Sequence, residues 1–212
     1  MKIAVLLYDR FTALDGIGPY EVLSRLPDAD LSFVAKTPGP VKSDTGFLQI
    51  LAKSFADLAD PDIVVVPGGP GSEAAAADPA ILDWLRGAHE SSRWTTSVCT
   101  GSEVLAAAGL LDGLEATTHW AFPDRLEKHG VKPTNRRVVF QGKVVTAAGV
   151  SSGIDMALEL AAREVSDEFA QALQLGIEYD PQPPFDTGSP EKAPAALVDL
   201  VRGTMRAAAI TG

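Results

Sequence analysis

The chain has 212 residues, of which 46% are hydrophobic, so it can bury one core and is short for two, and we expect a single domain over residues 1–212. A formal net charge of −10, with no cluster of Lys and Arg, argues against binding to nucleic acid. No apolar stretch approaches the roughly 20 residues of a membrane span, and no basic-then-apolar leader opens the chain. We therefore expect a cytoplasmic protein.

Apolar runs alternate with helical patterns along the chain, which predicts an α/β domain with one doubly wound, mostly parallel sheet of flavodoxin-like type. The first run, residues 2–8, is nearly continuous, as in a strand buried on both faces. A helix follows over residues 14–26, with Pro19 in its first turn and Pro27 closing it. Further strands are predicted at residues 31–36, 47–51 (weaker and hairpin-like), 62–66 and 95–98, and as a hairpin of 138–140 with 143–146. Further helices are predicted at residues 78–90, 102–108, 151–165, 167–175 and, after a proline-rich tail over 179–194, at 195–208.

Cys99 is the single cysteine, which excludes an internal disulfide and a multi-cysteine metal site. It lies between a predicted strand and a predicted helix, where a nucleophile stands above the carboxyl ends of parallel strands. The unpaired N–H groups of the helix N-terminus are expected to lower the thiol pKa and to stabilise developing negative charge. The alternative is a small buried residue at a tight turn.

Two further segments follow predicted strands. The Pro67-Gly68-Gly69-Pro70-Gly71 turn either points the N–H groups of Gly68 and Gly69 into the cleft, as half of an oxyanion hole, or simply ends its strand. Its glycine spacing fits neither the dinucleotide nor the P-loop pattern. Asp15, just beyond the first strand, either shuttles protons with a pKa raised by burial or caps the helix.

His119, in the segment Thr117-Thr118-His119-Trp120, ends a short predicted strand. It either pairs with Cys99 to activate the thiol or has a structural role with a backbone partner. No spacing of His, Asp and Glu suggests a metal site. Phe11, Val150 and Trp120 are either pocket walls or core residues.

Together, these segments carry a resemblance to a known family. The Pro-Gly-Gly turn, the Cys99 elbow and the Asp15 segment resemble the ThiJ/PfpI superfamily, of class I glutamine amidotransferase-like fold, over nearly the whole chain. Four segments are similar to those of bacterial members that hydrate isocyanides: residues 14–19 (LDGIGP), 97–101 (SVCTG), 116–121 (ATTHWA) and 179–185 (YDPQPPF).

The resemblance implies a homodimer that adds water to an isocyanide without a cofactor or metal, giving an N-substituted formamide. In that reaction Cys99 would attack the isocyanide carbon and form a thioimidate. Asp15 would deliver a proton and later activate water, while the N–H groups of Gly69 and Thr100 orient the developing charge. Gly68 and His119 would join Gly69 in binding the substrate.

The chain also departs from the patterns of the superfamily. Asp15 stands where many members have glutamate, and Thr100 stands where peptidase-like members have a histidine after the nucleophile, which argues against peptidase activity. Three other functions stay open: a ligand-sensing domain like those fused to AraC-type regulators, a redox sensor that oxidises Cys99, and another cysteine-dependent hydrolase or amidase.

Overall fold

The structure is a computed structural model that describes residues 1–210. Strands and helices alternate along most of this part of the chain. Its strands are β1 (Lys2–Leu6), β2 (Asp30–Ala35), β3 (Gly39–Lys42), β4 (Gln49–Ser54), β5 (Ile63–Val66), β6 (Trp94–Val98), β7 (Glu115–Thr117), β8 (Lys132–Thr134), β9 (Val138–Gln141) and β10 (Val144–Ala147). Its α-helices are α1 (Ala13–Leu23), α2 (Ser72–Ala76), α3 (Pro79–Ser91), α4 (Gly101–Ala107), α5 (Pro123–Glu127), α6 (Ser152–Glu164), α7 (Asp167–Gly176) and α8 (Ala195–Ile210). Among residues 1–210, no helix combines the length and the apolar character that crossing a membrane requires.

Eight of the strands form one sheet in the order β3-β4-β2-β1-β5-β6-β10-β9, and β7 pairs with β8 in a small second sheet. The six central strands, from β4 to β10, are parallel, and β3 and β9 add an antiparallel strand at each edge. Helices pack in two groups, α1 with α6 and α7, and α4 with α2, α3 and α5. The predicted α/β class with a mostly parallel sheet is confirmed.

The two central strands, β1 and β5, are almost wholly buried because helices cover both faces of the sheet. The chain leaves β1 towards β2 on one side and later returns through β5 on the other side of β1. This reversal opens a crevice at the carboxyl ends of β1 and β5, the usual place for a ligand in a doubly wound sheet. The fold therefore brings the Asp15 segment and the glycine-rich turn together.

The predicted strand bounds need two corrections. The first strand ends at Leu6 instead of residue 8, and the Tyr8 hydroxyl beyond it donates to Pro67 O at 2.6 Å. The piece predicted at residues 47–51 is shifted to β4, since Phe47 lies in the hairpin turn with 97% of its surface exposed. The short elements β3, β8, α2 and α5 were not predicted, because three to five residues are too few to show a period.

Helix α1 corrects two predictions. It begins at Ala13, so Pro19 lies in its interior and not in its first turn. There the proline removes one helical N–H donor but packs closely on α6, at a position where Gly153 leaves room for it. Thr12 is the N-terminal flanking residue, so the alternative in which Asp15 caps the helix is wrong. Asp15 lies in the first turn of the helix, and its side chain accepts the Gly68 N–H.

Candidate active site

Cys99 occupies a sharp turn between β6 and α4, with a φ of 58° that L-residues rarely adopt. The turn is tight because Gly101 follows, where an added Cβ would lie 2.1 Å from Val66 O. The backbone of Gly68 also packs tightly against this turn, since an added Cβ would lie 2.5 Å from Thr100 N. The sequence Cys-Thr-Gly thus folds as a nucleophile elbow against the glycine-rich turn.

The backbone of Cys99 is fixed on both sides. Its N–H is shared between Ala147 O at 3.0 Å and Ala148 O at 2.7 Å, and its carbonyl accepts the hydroxyls of Ser102 at 3.0 Å and Thr118 at 3.1 Å. The thiol is therefore held in one place with only 4% of the residue exposed.

Asp15 is fully buried beside this thiol. Its Oδ2 accepts the Gly68 N–H at 2.9 Å, whereas its buried Oδ1 has no hydrogen-bond partner within residues 1–210. Burial raises the pKa of Asp15 to about 7, against the opposing effects of the Gly68 N–H and the Cys99 thiol. The carboxyl can accordingly give or take a proton near neutral pH.

The helix N-terminus predicts a lowered pKa for Cys99, but the pKa of this thiol is raised. Burial, and then the charge of Asp15, raise the thiol pKa well above its usual value. The N–H groups of Thr100 and Val150 and the Thr100 hydroxyl act in the opposite direction but do not outweigh burial. The resting sulfur is thus a neutral thiol, and these N–H groups stabilise the thiolate once it forms.

The predicted oxyanion role of Gly68 and Gly69 is not supported, because both N–H groups already have partners. The Gly68 N–H donates to Asp15, and the Gly69 N–H donates to Thr100 Oγ1 at 3.0 Å. Gly69 has a φ of 139°, and an added Cβ would lie 2.5 Å from Arg10 O, so this turn needs glycine for its shape. Its N–H groups position Asp15 and Thr100 against the sulfur.

His119 is buried, and within the described residues no hydrogen bond joins it to Cys99. Its Nδ1 accepts the Ala121 N–H at 3.2 Å, and burial lowers its pKa to about 4, so the ring is neutral. The ring packs against Gly149, where an added Cβ would lie 2.7 Å from Cδ2. The contact of Nδ1 with a backbone N–H favours the structural alternative for His119 over the pairing with Cys99.

A cavity of about 580 Å³ is lined in part by residues 148–150, and Cys99 is not among its lining residues. Its walls include His119, Trp120, Val150 and Arg137. Phe11 does not line it and is instead a core residue with no exposed surface. Because Val150 both borders the cavity and donates its N–H to Cys99, the cavity ends within one residue of the sulfur.

Sequence reasoning missed several residues around the site. Arg125 forms a buried ion pair with Glu103 at 2.7 Å and donates to Ser72 Oγ at 2.8 Å, and nothing local in the sequence signals this contact. Tyr8, which holds Pro67, had a weak signal as the polar end of an apolar run. For Val150 the sequence predicts either a pocket wall or a core residue, and its N–H contact cannot be inferred from its side chain.

The fold and the site define a class of doubly wound α/β proteins. In this class a cysteine on a strand-to-helix elbow faces an acidic side chain at the C-terminal ends of the parallel strands. The model of the DJ-1/PfpI family matches residues 1–163, and the chain belongs to this family. It is 46% identical to an isonitrile hydratase of Pseudomonas putida, over 95% of this chain and 89% of that protein.

Two other relatives show the range of the family. A crystal structure of a ThiJ/PfpI family protein from Pseudomonas syringae aligns with a TM-score of 0.91 at 39% identity, covering 98% of this chain and 88% of that one. The HTH-type transcriptional regulator CdhR of Pseudomonas aeruginosa is 31% identical over 68% of this chain, which spans 41% of that protein.

Proposed function

We propose that this protein is an isonitrile (isocyanide) hydratase, which adds water to R–N≡C and releases the formamide R–NH–CHO. The observation that carries the proposal is the pairing of the Cys99 thiol with the Asp15 carboxyl, whose pKa of about 7 suits it to move protons in both directions. The 46% identity to the Pseudomonas putida isonitrile hydratase supports the choice of substrate.

The first step forms a carbon–sulfur bond. Asp15 takes the thiol proton, the sulfur attacks the terminal carbon of the isocyanide, and Asp15 returns the proton to that carbon. The product is the thioimidate Cys–S–CH=N–R, so no atom is lost. Negative charge develops first on sulfur, where the N–H groups of Thr100 and Val150 already point.

The second step consumes water. With Asp15 as a carboxylate, its unpartnered Oδ1 is free to accept a proton from a water that attacks the thioimidate carbon. That proton passes to the substrate nitrogen, and the tetrahedral adduct Cys–S–CH(OH)–NHR collapses. The carbon–sulfur bond breaks, the hydroxyl proton returns to sulfur through Asp15, and the formamide leaves.

Two features of the site fit hydration better than amide hydrolysis. An amide hydrolase needs free N–H donors for a carbonyl oxyanion, but those of Gly68 and Gly69 are engaged. Many cysteine amide hydrolases also use an imidazole as the acid for the leaving amine, and His119 is neutral and packs on Gly149. Isocyanide hydration needs neither in its first step.

Redox sensing by Cys99 is the less favoured alternative. Sensor cysteines are exposed and have a low pKa, which makes the thiolate available to peroxide. Cys99 is 4% exposed, and burial raises its pKa. We expect slow oxidation by mild peroxide, which mass spectrometry of the intact chain would measure.

The homodimer implied by the family resemblance remains a proposal. Light scattering of the purified chain tests it, and a mass equal to two chains supports it. A mass of one chain would contradict it without affecting the chemistry proposed for Cys99.

The hydratase proposal is tested by mixing the protein with p-nitrophenyl isocyanide and following the N-substituted formamide by chromatography. We expect turnover by the wild type and none by Cys99→Ala above the uncatalysed background. We expect Asp15→Asn to lose about 100-fold or more, the usual scale for removing a general acid–base group. Equal rates for the wild type and Cys99→Ala would overturn the proposal.

A further inference from the structure

The loop of residues 148–151, here the β10–α6 loop, contacts Cys99 from two directions. The carbonyl of Ala148 accepts the Cys99 N–H at 2.7 Å, and the Val150 N–H interacts with the Cys99 thiol and lowers its pKa. Val150 has a φ of 20°, a value that a β-branched residue disfavours. Contacts outside the loop must therefore hold it in this conformation.

Arg137, which directly precedes β9, supplies such contacts at both ends of the loop. Its carbonyl accepts the Ala148 N–H at 2.9 Å, and its Nη2 donates to Ser151 Oγ at 3.3 Å. Its Nε donates to the carboxylate of Asp155, in the first turn of α6. One side chain thus joins the loop to the start of the helix that follows it.

The proline-rich tail completes this arrangement. The Tyr179 hydroxyl donates to Asp155 Oδ1 at 2.7 Å, so each oxygen of that carboxylate has a donor, one from Arg137 and one from Tyr179. The three side chains come from three separate segments, which are the β8–β9 connection, α6 and the tail. We refer to Arg137, Asp155 and Tyr179 as the loop clamp.

We propose that Arg137 is a positioning residue for the Cys99 chemistry: through the loop clamp it sets the Val150 N–H against the sulfur. Arg137 does not touch the sulfur, so it acts only through the loop. The effect of Arg137 on turnover rests on the proposed function, whereas its effect on the reactivity of the Cys99 thiol is independent of that function.

Cys99 and Arg137 have different titratable neighbours. The charged group that raises the pKa of Cys99 is Asp15 from α1, and Cys99 in turn raises the pKa of Tyr8, two residues beyond β1. The groups on Arg137 are Asp155 and Tyr179. A substitution at Arg137 therefore reaches the sulfur through the loop geometry, since no charge of the clamp acts directly on the thiol.

The expected effect is a loss of thiolate stability. A hydrogen bond to a charged group stabilises that group by enough free energy to change its population about tenfold. Losing the bond to the thiolate therefore lowers the thiolate population, and with it the alkylation rate, by about tenfold. Cys99 is the single cysteine, so iodoacetamide alkylation followed by mass spectrometry reports on this thiol alone. A loop that merely loosened and exposed the sulfur would raise the rate, so the sign of the change is informative.

The experiment compares Arg137→Met with Arg136→Met, a matched control whose side chain pairs with Glu115 on the surface. We expect Arg137→Met to alkylate about tenfold more slowly and to lower kcat more than it raises KM, and Arg136→Met to stay within about twofold of the wild type. An unchanged or faster alkylation of folded Arg137→Met overturns the proposal. So does a rise in KM alone, which would make Arg137 only a cavity wall.

Tyr179→Phe covers the case in which Arg137→Met does not fold, because it removes a single hydroxyl from the clamp. We expect a smaller decrease of about threefold in the alkylation rate, with an unchanged circular dichroism spectrum. A wild-type rate from this folded variant, with Arg137→Met unfolded, overturns the proposal. Slower alkylation in a protein that hydrates no isocyanide would refute the proposed function and leave the role of Arg137 standing.

Discussion

Asp15 is a carboxyl that the fold keeps largely protonated up to neutral pH. It is fully buried, it receives a single backbone N–H, and its pKa is raised to about 7. Near neutral pH both forms of the carboxyl are populated, and the carboxylate form can take the thiol proton in the first reaction step. The cost of this arrangement is a dependence of stability on pH.

The sign of that dependence follows from proton binding. Because the folded-state pKa is raised, the folded chain keeps a proton that the unfolded chain releases between about pH 4 and about pH 7, so stability falls as pH rises through this window. We expect Asp15→Asn to reduce the difference in unfolding free energy between about pH 4.5 and about pH 7.5 by roughly 3 kcal/mol. Urea denaturation at the two pH values measures it, and an undiminished difference would show that Asp15 is not the group responsible.

Thr100 joins the elbow to the glycine-rich turn through its hydroxyl. Thr100→Val removes the acceptor of the buried Gly69 N–H and is expected to cost about 1–3 kcal/mol of unfolding free energy and to slow Cys99 alkylation. Thr100→Ser keeps the hydroxyl and serves as the control. If urea denaturation gives equal stabilities for the valine and serine variants, the hydroxyl contributes nothing measurable.

The proximity of Cys99 and Asp15 could be predicted because each follows a parallel strand, and the carboxyl ends of such strands meet at one edge. The direction of the thiol pKa could not. It depends on burial under the β10–α6 loop, which lies about fifty positions away in the sequence. The pairing of the Gly68 and Gly69 N–H groups also depends on side chains from other elements.

At the scale of the secondary-structure elements, the junction of β6 and α4 requires a residue without a side chain after Thr100. A Cβ on Gly101 would meet the backbone oxygens of Val66 at 2.1 Å and Pro67 at 2.7 Å, and neither can move without displacing β5. We expect Gly101→Ala to lose about 3 kcal/mol or more. Gly87→Ala on α3 is the control, since nothing lies within 4 Å of its Cβ, and it should gain up to about 1 kcal/mol. Thermal unfolding compares them, and similar melting temperatures would contradict the tight junction.

The elements that the sequence predicted well are those with a long period or a continuous apolar run. The strands at residues 62–66 and 95–98 and the helix at 78–90 agree with β5, β6 and α3 within one residue. The β-branched run of β5 is buried throughout, so its pattern is unambiguous. Helix α1 begins within one residue of its predicted start but ends at Leu23 instead of residue 26, and Pro19 is accommodated in its interior by Gly153 of α6.

At the level of the whole molecule, a buried charge network joins three helices around the crevice. Arg125 of α5 pairs with Glu103 of α4 and donates to Ser72 of α2, and both charged residues are almost fully buried. We expect Arg125→Met to cost about 3–5 kcal/mol, because it leaves the Glu103 carboxylate buried and unpaired. The double variant Arg125→Met/Glu103→Met should recover part of this loss. Chemical denaturation measures the unfolding free energies of the single and the double variant. A double variant less stable than Arg125→Met would contradict this explanation.

The central claim is that Cys99 forms a covalent bond to the isocyanide carbon and that Asp15 is needed to release it. Intact-protein mass spectrometry of Asp15→Asn mixed with p-nitrophenyl isocyanide tests this most directly, with Asp15→Asn/Cys99→Ala as the control. Asp15 serves both steps, but a thiolate still adds slowly to the isocyanide carbon with a proton from solvent, whereas hydrolysis also needs a base for the attacking water. We therefore predict that an added mass equal to that of one isocyanide builds up slowly on Cys99 in Asp15→Asn, and that the double variant gains none. Hydration by the wild type, together with an unmodified Cys99 in Asp15→Asn and undiminished turnover by Cys99→Ala, would contradict it.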